Sequence, residues 1–284
     1  MNFNTRLNYF IDSALHFFNN DISCPFDGSN NTKLVKRKHL VTSLYTCQDC
    51  GLRFRVPKET SSENESFYQE EYAQGFTTDV PDDATLSNLI SEGFANSEKD
   101  YSHYIAVLKA ANVTPGQTIL DFGSSWGYGS WQLAQAGYRV YSYEISRPRA
   151  RYAAEKLDCT MLNDVINLPE KVDCFFSSHV LEHLPDPNLF WQNVQNAVKP
   201  NGTIIAFTPN GDPTYERANP DSYHKMWGKV HPLMLTSRAY KVMARAYNCE
   251  GNTYSNPYPY EKITNGMDGE LNGVELLFVG QKIT

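Results

Sequence analysis

A strand followed by a glycine-rich loop and a helix constrains this chain more than any other feature. The apolar run Thr118–Phe122 predicts a buried strand, residues 123–129 contain three glycines, and residues 130–134 fit the start of a helix. Glycine lets the backbone approach a ligand closely, and the free N–H groups at a helix start can bind a polar or anionic group. The unit therefore predicts an α/β fold that binds a ligand where the strand ends.

A second predicted strand ends in an acidic side chain at the spacing that ribose binding requires. Residues 138–143 form the next apolar-rich run, and Glu144 follows it, about 20 residues beyond the loop. A carboxylate in that position can accept hydrogen bonds from both ribose hydroxyls. The two features together favour a nucleotide-type cofactor, although Asp121 and Glu144 are also residue types that cap turns.

From about Tyr101 to the C-terminus, the order of the elements resembles the class I S-adenosylmethionine (SAM)-dependent methyltransferases. That family begins with an apolar strand, an acidic residue and a glycine-rich loop, and its second strand ends in an acid. Residues 179–187 and 198–202 resemble the ubiquinone-biosynthesis type of small-molecule methyltransferase in particular. The matching segments are residues 118–129, 138–144, 164–165, 172–178, 179–187 and 198–207.

The resemblance implies a Rossmann-like α/β fold with a seven-stranded, mostly parallel sheet and helices on both faces. Residues 172–178 and 203–207 would be its fourth and fifth strands, and the last strand would lie near residues 273–279. A helix is expected at residues 236–247. The acidic and glycine-loop residues would meet at the carboxyl edge of the sheet, where ligands of open α/β sheets bind.

The resemblance also implies which residues contact SAM. Asp121 would order the loop and reach the amino-acid part of SAM, and Glu144 would bind the ribose. Asp164 and Val165 would meet the adenine, although Asp164 could instead cap a turn or a helix. The other implied cofactor-binding residues are Gly123, Ser124, Ser125, Gly127 and Gly129 in the loop, and Ser178 and His179 beside the methionine portion.

The loop departs from the family pattern at Ser125, which stands where the middle glycine is expected. A serine favours a less extreme backbone conformation than glycine, and its hydroxyl could contact the ligand. We therefore expect the loop to keep its purpose while its backbone follows a different course.

A nicotinamide-dependent oxidoreductase acting on a sugar nucleotide is the alternative interpretation of such a loop. Its G-x-G-x-x-G fingerprint is absent from the sequence. Tyr152 and Lys156 have the spacing of the short-chain dehydrogenase pair, but they follow the second strand and so lie too early in the chain for that role.

Methyl transfer from SAM requires the nucleophile to be aligned with the methyl group, and a hydroxyl nucleophile must also lose its proton. His183 follows the fourth strand and His231 precedes the predicted helix, so both are candidate bases. A purely structural hydrogen-bonding role is the alternative for each. Residues 211–230 are polar and aromatic, and they fit a substrate lid inserted after the fifth strand.

His179, Glu182 and His183 have i, i+3, i+4 spacing, which would place them on one face if the chain turned helical after the fourth strand. Some ubiquinone-type relatives resemble this with two glutamates and a histidine proposed to bind magnesium. Here His179 replaces the first glutamate, which favours a softer ion or no metal. The preferred hypothesis is that His179 borders SAM while Glu182 and His183 face the acceptor.

Residues 1–60 resemble a zinc ribbon. Cys47 and Cys50 have the C-x-x-C spacing that lets two thiolates bind one ion, and Cys24 could be a third ligand. Asp27 stands where the fourth cysteine is expected, so it either binds zinc through oxygen or marks a ribbon that has lost its metal. A disulfide and thioredoxin-like redox chemistry are both disfavoured, because a cytosolic chain rarely forms the first and the second requires a βαβ context.

A ribbon before a SAM domain is similar to sugar methyltransferases of bacterial glycan or antibiotic pathways, and to a bacterial ribosomal-RNA methyltransferase type. The formal net charge of −7 favours the first group, because it provides no attraction for a nucleic-acid backbone. We therefore predict a small-molecule acceptor, either a sugar, a nucleotide sugar or a glycan-pathway hydroxyl. RNA methylation is the alternative.

Charge divides the chain into three predicted regions. Residues 1–60, the predicted ribbon, carry eight Lys or Arg against five Asp or Glu, whereas residues 61–100 carry ten acidic residues against one lysine. The acidic stretch is predicted to be a helical connector, and residues 101–284 the methyltransferase domain. The connector has aromatic residues at helical spacing: Phe67, Tyr68, Tyr72 and Phe76.

The sequence also bears on location. No run approaches the ~18 to 20 apolar residues that would span a bilayer, and residues 1–20 carry polar and charged side chains within their apolar pattern, unlike a signal peptide. We therefore predict a cytoplasmic protein without a membrane span.

Overall fold

The computed structural model describes residues 21–38, 42–58 and 79–284. The four aromatic positions predicted to organise the connector therefore lie outside the described residues. What is described of the connector contains helix α1, Asp83–Ser91, whose first turn is capped by Asp82 accepting a hydrogen bond from the Thr85 amide at 2.7 Å. Phe94, just after this helix, is buried against Trp126 of the glycine loop.

The described residues form two sheets with helices around the larger one. The strands are β1 Thr32–Lys38, β2 Thr42–Cys47, β3 Arg53–Val56, β4 Thr118–Phe122, β5 Arg139–Tyr143, β6 Thr160–Leu162, β7 Val172–Ser178, β8 Val198–Pro209, β9 Leu233–Met234, β10 Cys249–Ser255 and β11 Glu275–Lys282. The further helices are α2 Ser102–Ala110, α3 Tyr128–Gln135, α4 Arg147–Leu157, α5 Asn188–Ala197, α6 Pro213–Ala218, α7 Pro220–Met226, α8 Ser237–Ala246 and α9 Tyr260–Thr264. Single 3-10 turns cover Val165–Asn167 and Leu181–His183, and no helix in the described ranges is long and apolar enough to cross a bilayer.

The larger sheet has seven strands in the spatial order β6–β5–β4–β7–β8–β11–β10. The strands from β6 to β8 are parallel, whereas β11 is antiparallel to both β8 and β10. The predicted Rossmann-like, seven-stranded fold is thereby confirmed. The chain order reverses at β4, which pairs with both β5 and β7, so its carboxyl end faces the crevice where open α/β sheets bind ligands.

Alternating apolar side chains bury both faces of this sheet. Leu120 and Phe122 of β4 pack in the same cluster as residues of α5 and α8, whereas Ile119 packs with residues of α2 and α3. Phe175 and Phe176 of β7 divide between the faces in the same way. Because successive strand side chains point to opposite faces, both faces must be covered by helices, as predicted.

The structure corrects the predicted start of the fifth strand, β8. The fifth strand was expected at residues 203–207, but β8 already begins at Val198. Asn201 accommodates the irregularity with a φ of 61°, in the left-handed region that asparagine tolerates. Strand β7 remains paired to β8 across this point, with a shift of register between Val172 and Cys174.

The smaller sheet is antiparallel and has the order β1–β2–β3–β9. Its fourth strand, β9, comes from the segment that follows the fifth strand of the large sheet. Arg53 and Phe54 of β3 pair with Met234 and Leu233 of β9. The N-terminal ribbon is therefore joined by main-chain hydrogen bonds to the predicted catalytic region.

Candidate functional site

The glycine loop connects β4 to α3, and several of its residues have positive φ angles. Gly123 has a φ of 89°, and a Cβ atom added there would lie 2.2 Å from Cγ2 of Val180 in the segment after β7. Ser125 also has a positive φ, of 52°. The expectation that serine would relax the backbone at this position is wrong, because the loop holds Ser125 in the left-handed region.

Asp121 connects β4 to the helix that follows the loop. Its carboxylate is buried and accepts a hydrogen bond of 2.6 Å from the hydroxyl of Ser130, which in turn lies 2.8 Å from the Ser142 hydroxyl of β5. Burial raises the pKa of Asp121 to about 7, and the hydrogen bond from Ser130 opposes the rise. This geometry explains how Asp121 orders the loop. Contact between Asp121 and SAM stays a prediction.

Glu144 fixes the loop from the end of β5. Its two carboxylate oxygens accept hydrogen bonds from the backbone amides of Ser125, at 2.9 Å, and Ser146, at 2.8 Å. Burial raises its pKa, and these two amides act in the opposite direction. Each carboxylate oxygen has a second lone pair, so the same group has the capacity to accept hydrogen bonds from ribose hydroxyls.

Asp164 caps the 3-10 turn at Val165–Asn167, accepting a hydrogen bond of 3.1 Å from the Ile166 amide. In the structure, Asp164 therefore makes the contact of a turn cap. Val165 is buried and Ile166 is 74% exposed, at the edge of the sheet beside β5 and β6. Adenine binding by Asp164 and Val165 stays a prediction.

His179 is not helical, which corrects the helix assumed behind its i, i+3, i+4 spacing with Glu182 and His183. Its φ is 57°, and helical structure begins only at Leu181. The imidazole lies between two carboxylates, with Nδ1 3.1 Å from Glu182 and Nε2 2.6 Å from Glu275. Burial lowers the pKa of His179, but these two carboxylates outweigh burial and raise it above its usual range.

Sequence reasoning missed the partners of His179. Glu275, the first residue of β11, accepts hydrogen bonds from the hydroxyls of Tyr104, at 3.2 Å, and Tyr258. The available signal was the single acid, Glu275, that directly precedes the apolar run 276–279. In the structure, Glu275 pairs with Pro209 at the carboxyl end of β8.

His183 and His231 lie together although 48 positions separate them, with ring centroids 4.7 Å apart. Nδ1 of His183 is 2.6 Å from the Val230 carbonyl, and Nδ1 of His231 is 2.6 Å from the Met226 carbonyl. Because a carbonyl can only accept, each Nδ1 must carry the proton, and Nε2 is then the proton-accepting atom of a neutral ring. Burial lowers the pKa of His183 to about 4, so this imidazole is neutral at pH 7.

Glu182 completes this group. It is fully buried, its Oε1 lies 3.8 Å from Nε2 of His183, and its Oε2 has no hydrogen-bond partner among the described residues. Burial alone would raise the pKa of Glu182, but His179 and the neighbouring imidazoles hold it below its usual range. Ligand atoms of Glu182, His183 and His231 all lie within 4.8 Å of one another. His231, rather than His179, therefore joins Glu182 and His183 in the set that could bind a cation.

The methyltransferase domain family matches residues 120–206, the stretch that carries the loop and His183. Residues 120–206, about a third of the chain, therefore match a methyltransferase domain. An uncharacterized methyltransferase of Geobacillus thermodenitrificans is 31% identical over 102 residues, covering 34% of this chain and 47% of that protein. The ubiquinone biosynthesis O-methyltransferase of Dinoroseobacter shibae is 28% identical over 115 residues, covering 37% and 46%.

The curated relatives share part of their sequence with this chain, whereas the solved structure described next shares its fold. The chain spans about half the length of the first two curated relatives it matches. A solved Haloferax volcanii complex of the Trm112 methyltransferase activator with a protein described as a methyltransferase has a TM-score of 0.50. Its identity is 16%, with 70% of this chain and 96% of that chain covered, so this likeness concerns the fold alone.

The geometry of Tyr152 and Lys156 argues against dehydrogenase chemistry in the methyltransferase domain. Both lie on α4, where the Tyr152 hydroxyl donates to the Pro81 carbonyl at 3.0 Å and Lys156 pairs with exposed Asp83 at 2.6 Å. These contacts connect α4 to the connector around α1. The two side chains therefore have a structural explanation outside the crevice.

The ribbon cysteines and Asp27 converge beside the methyltransferase domain. Cys24 and Cys50 have sulfur atoms 3.6 Å apart, and the sulfur of Cys47 lies 3.6 Å from Oδ2 of Asp27. A zinc ion with Zn–S bonds of about 2.3 Å requires ligand separations of about 3.8 Å at the corners of a tetrahedron. All four ligand atoms lie within 4.8 Å of one another, so the donor set fits zinc in number, chemistry and spacing.

Proposed function

We propose that the chain transfers a methyl group from SAM to a small molecule, and that the nucleophile is a hydroxyl of a sugar, nucleotide sugar or glycan-pathway intermediate. The observation that carries this proposal is the group Glu182, His183 and His231 at the carboxyl end of β7. Val180 links it to the cofactor loop, because its side chain packs against Gly123. An acceptor bound at the histidines would therefore lie beside the predicted methionine portion of SAM.

The chemistry requires alignment and removal of one proton. SAM supplies an activated methyl group when it is bound, so the protein has to place the acceptor oxygen in line with it. His183 is neutral and carries its lone pair on Nε2, and we propose that this atom takes the hydroxyl proton, with Glu182, 3.8 Å away, stabilising the imidazolium that forms. His231 is the second candidate, since its Nδ1 contact imposes the same tautomer.

The names of the similar proteins indicate different methyl acceptors, so the small-molecule acceptor is our proposal. The similar proteins include an O-methyltransferase of ubiquinone biosynthesis and a phosphoethanolamine N-methyltransferase of Caenorhabditis elegans, 26% identical over 130 residues. The alternative is RNA methylation or assembly with an activator like Trm112. The fold similarity to the Haloferax complex suggests this alternative. The net charge of −7 supports the small-molecule acceptor over RNA.

Transfer of radiolabelled methyl from SAM tests the proposal. We expect labelled product with at least one member of a panel of nucleotide sugars and hydroxylated glycan precursors, and no labelling of ribosomal RNA. A Gly123→Val variant is the inactive control, because its side chain would occupy the space of Val180 at a backbone φ that valine avoids. Labelling of RNA alone would contradict the acceptor class while leaving methyl transfer intact.

We also propose that Cys24, Asp27, Cys47 and Cys50 bind one structural zinc ion. Purified protein is expected to contain about one zinc per chain by elemental analysis, because four ligands complete a structural tetrahedral site. Asp27→Cys is expected to raise zinc affinity, since thiolate is the softer and stronger ligand. Metal-free protein with an intact ribbon, and no gain of affinity in the cysteine variant, would show that Asp27 marks a lost site.

A further inference from the structure

The two acceptor-side histidines share one short turn, residues 226–231. His231 donates through Nδ1 to the Met226 carbonyl, and the Gly228 amide donates to the His231 carbonyl at 3.2 Å. His183 donates through Nδ1 to the Val230 carbonyl of the same turn. Since the hydrogen bond at one ring nitrogen fixes the state of the other, this turn sets which atom of each imidazole faces the acceptor.

The ribbon sheet holds that turn from both ends. On the C-terminal side, the Arg55 amide donates to the Pro232 carbonyl at 2.8 Å, next to His231, and the β3–β9 pairing follows. On the N-terminal side, Nζ of Lys38 donates to the carbonyls of His224 and Trp227, both at 2.9 Å. The turn is therefore anchored to β1 and β3, although it belongs to the methyltransferase region of the sequence.

Arg53 of β3 is the central side chain of this contact. Its guanidinium is buried and donates to Glu216 of α6 at 2.7 Å and to the Tyr223 hydroxyl of α7 at 2.6 Å. Lys36 of β1 pairs with the other carboxylate oxygen of Glu216 at 2.8 Å. Loss of Arg53 would leave the Tyr223 hydroxyl without this donor and Glu216 with Lys36 as its cationic partner, so the attachment of α6 and α7 to the ribbon would weaken.

We propose that the ribbon forms a wall of the acceptor site and that Arg53 is a positioning residue, which holds residues 211–231 so that Nε2 of His183 and of His231 face the acceptor. Residues 211–230, predicted as a substrate lid, pack on the smaller sheet, where Tyr215, Tyr223 and Trp227 are buried with Leu44 of β2 and Met234 of β9. Cofactor residues in the glycine loop make none of these contacts. The acceptor placed at these histidines rests on the proposed function, whereas the tautomer of each ring does not.

Nitrogen-15 NMR of the histidine side chains in the full chain tests the proposal without any acceptor. In the parent protein both His183 and His231 should show the proton on Nδ1, each assigned by its glutamine variant. Arg53→Met should convert both rings to a mixture of tautomers, and Arg53→Lys should restore part of the parent spectrum. Arg139→Met is the matched control, because Arg139 is an exposed arginine of the large sheet that pairs with Glu170 at 3.4 Å, and its loss should change neither ring.

Binding and kinetics supply the second readout. Arg53→Met should leave the Kd for SAM within twofold and lower kcat about 10-fold for an acceptor found by the labelling assay, as expected when a base is misplaced. Parent-like tautomers in Arg53→Met would overturn the proposal, even if no acceptor were found. If that variant does not fold, Tyr223→Phe removes one Arg53 contact while keeping the ring, and an unchanged spectrum there would overturn it equally.

Discussion

Replacing His183 with alanine should lower kcat by about 100-fold or more while leaving the Kd for SAM nearly unchanged, as expected for loss of a general base. The reason is geometric, since Nδ1 is committed to the Val230 carbonyl and a pKa of about 4 keeps the ring neutral and able to accept a proton. Initial rates at saturating SAM and acceptor give kcat, and titration calorimetry gives the Kd.

The matched variant is His183→Gln. A glutamine amide can still donate toward the Val230 carbonyl and fill much of the same space, but it cannot accept the acceptor's proton at neutral pH. Both variants should be equally slow. If glutamine restored the rate, the ring would have a structural role and the search for a base would move to His231. Inhibition of the parent enzyme by chelators would instead indicate a cation held by Glu182, His183 and His231.

Glu144→Ala is the second substitution with a large expected effect. Loss of a charge-assisted ribose contact costs about 1.5 to 3 kcal/mol, which is roughly a 10- to 150-fold increase in the Kd for SAM. The same change leaves the Ser125 and Ser146 amides without their carboxylate partner, so the loop itself should loosen. Titration calorimetry measures the affinity, and circular dichroism checks that the fold survives.

Glu155→Ala provides the control for that experiment. Glu155 is exposed on α4, in the helix that follows Glu144, and its removal should leave the Kd for SAM at the parent value. A Glu144→Ala variant that binds SAM as tightly as the parent would show that the ribose assignment is wrong. Glu144 would then be a residue whose only task is to hold Ser125 and Ser146.

The sequence was sufficient to predict the elements with strong periodicity and clear ends. β4 and β7 begin and end where the apolar runs do, and α8 begins one residue after its expected first position because Thr236 is its cap. The loop was placed correctly, since glycines between a strand and a helix leave few alternatives. The φ angles of the loop were not predicted, because residue identity does not show that Glu144 and the packing around Gly123 hold Ser125 in a left-handed conformation.

Contacts between distant segments could not be predicted. His179 is held by Glu275, 96 positions later, and helical spacing suggested only its near neighbours. β9 has two residues, too few to carry a strand pattern, and its partner β3 lies about 180 positions earlier. The pairing of His183 with His231 depends on that contact. Sequence therefore identified both histidines as candidates, but their shared turn and its attachment to the ribbon emerged only from the structure.

Titration calorimetry of the full chain with SAM and with NAD tests most directly whether the chain binds SAM at the crevice beside β4. We expect saturable binding of one SAM per chain, weakened in Glu144→Ala, and no measurable binding of NAD at the same concentrations. Saturable binding of NAD with no heat from SAM would contradict the account.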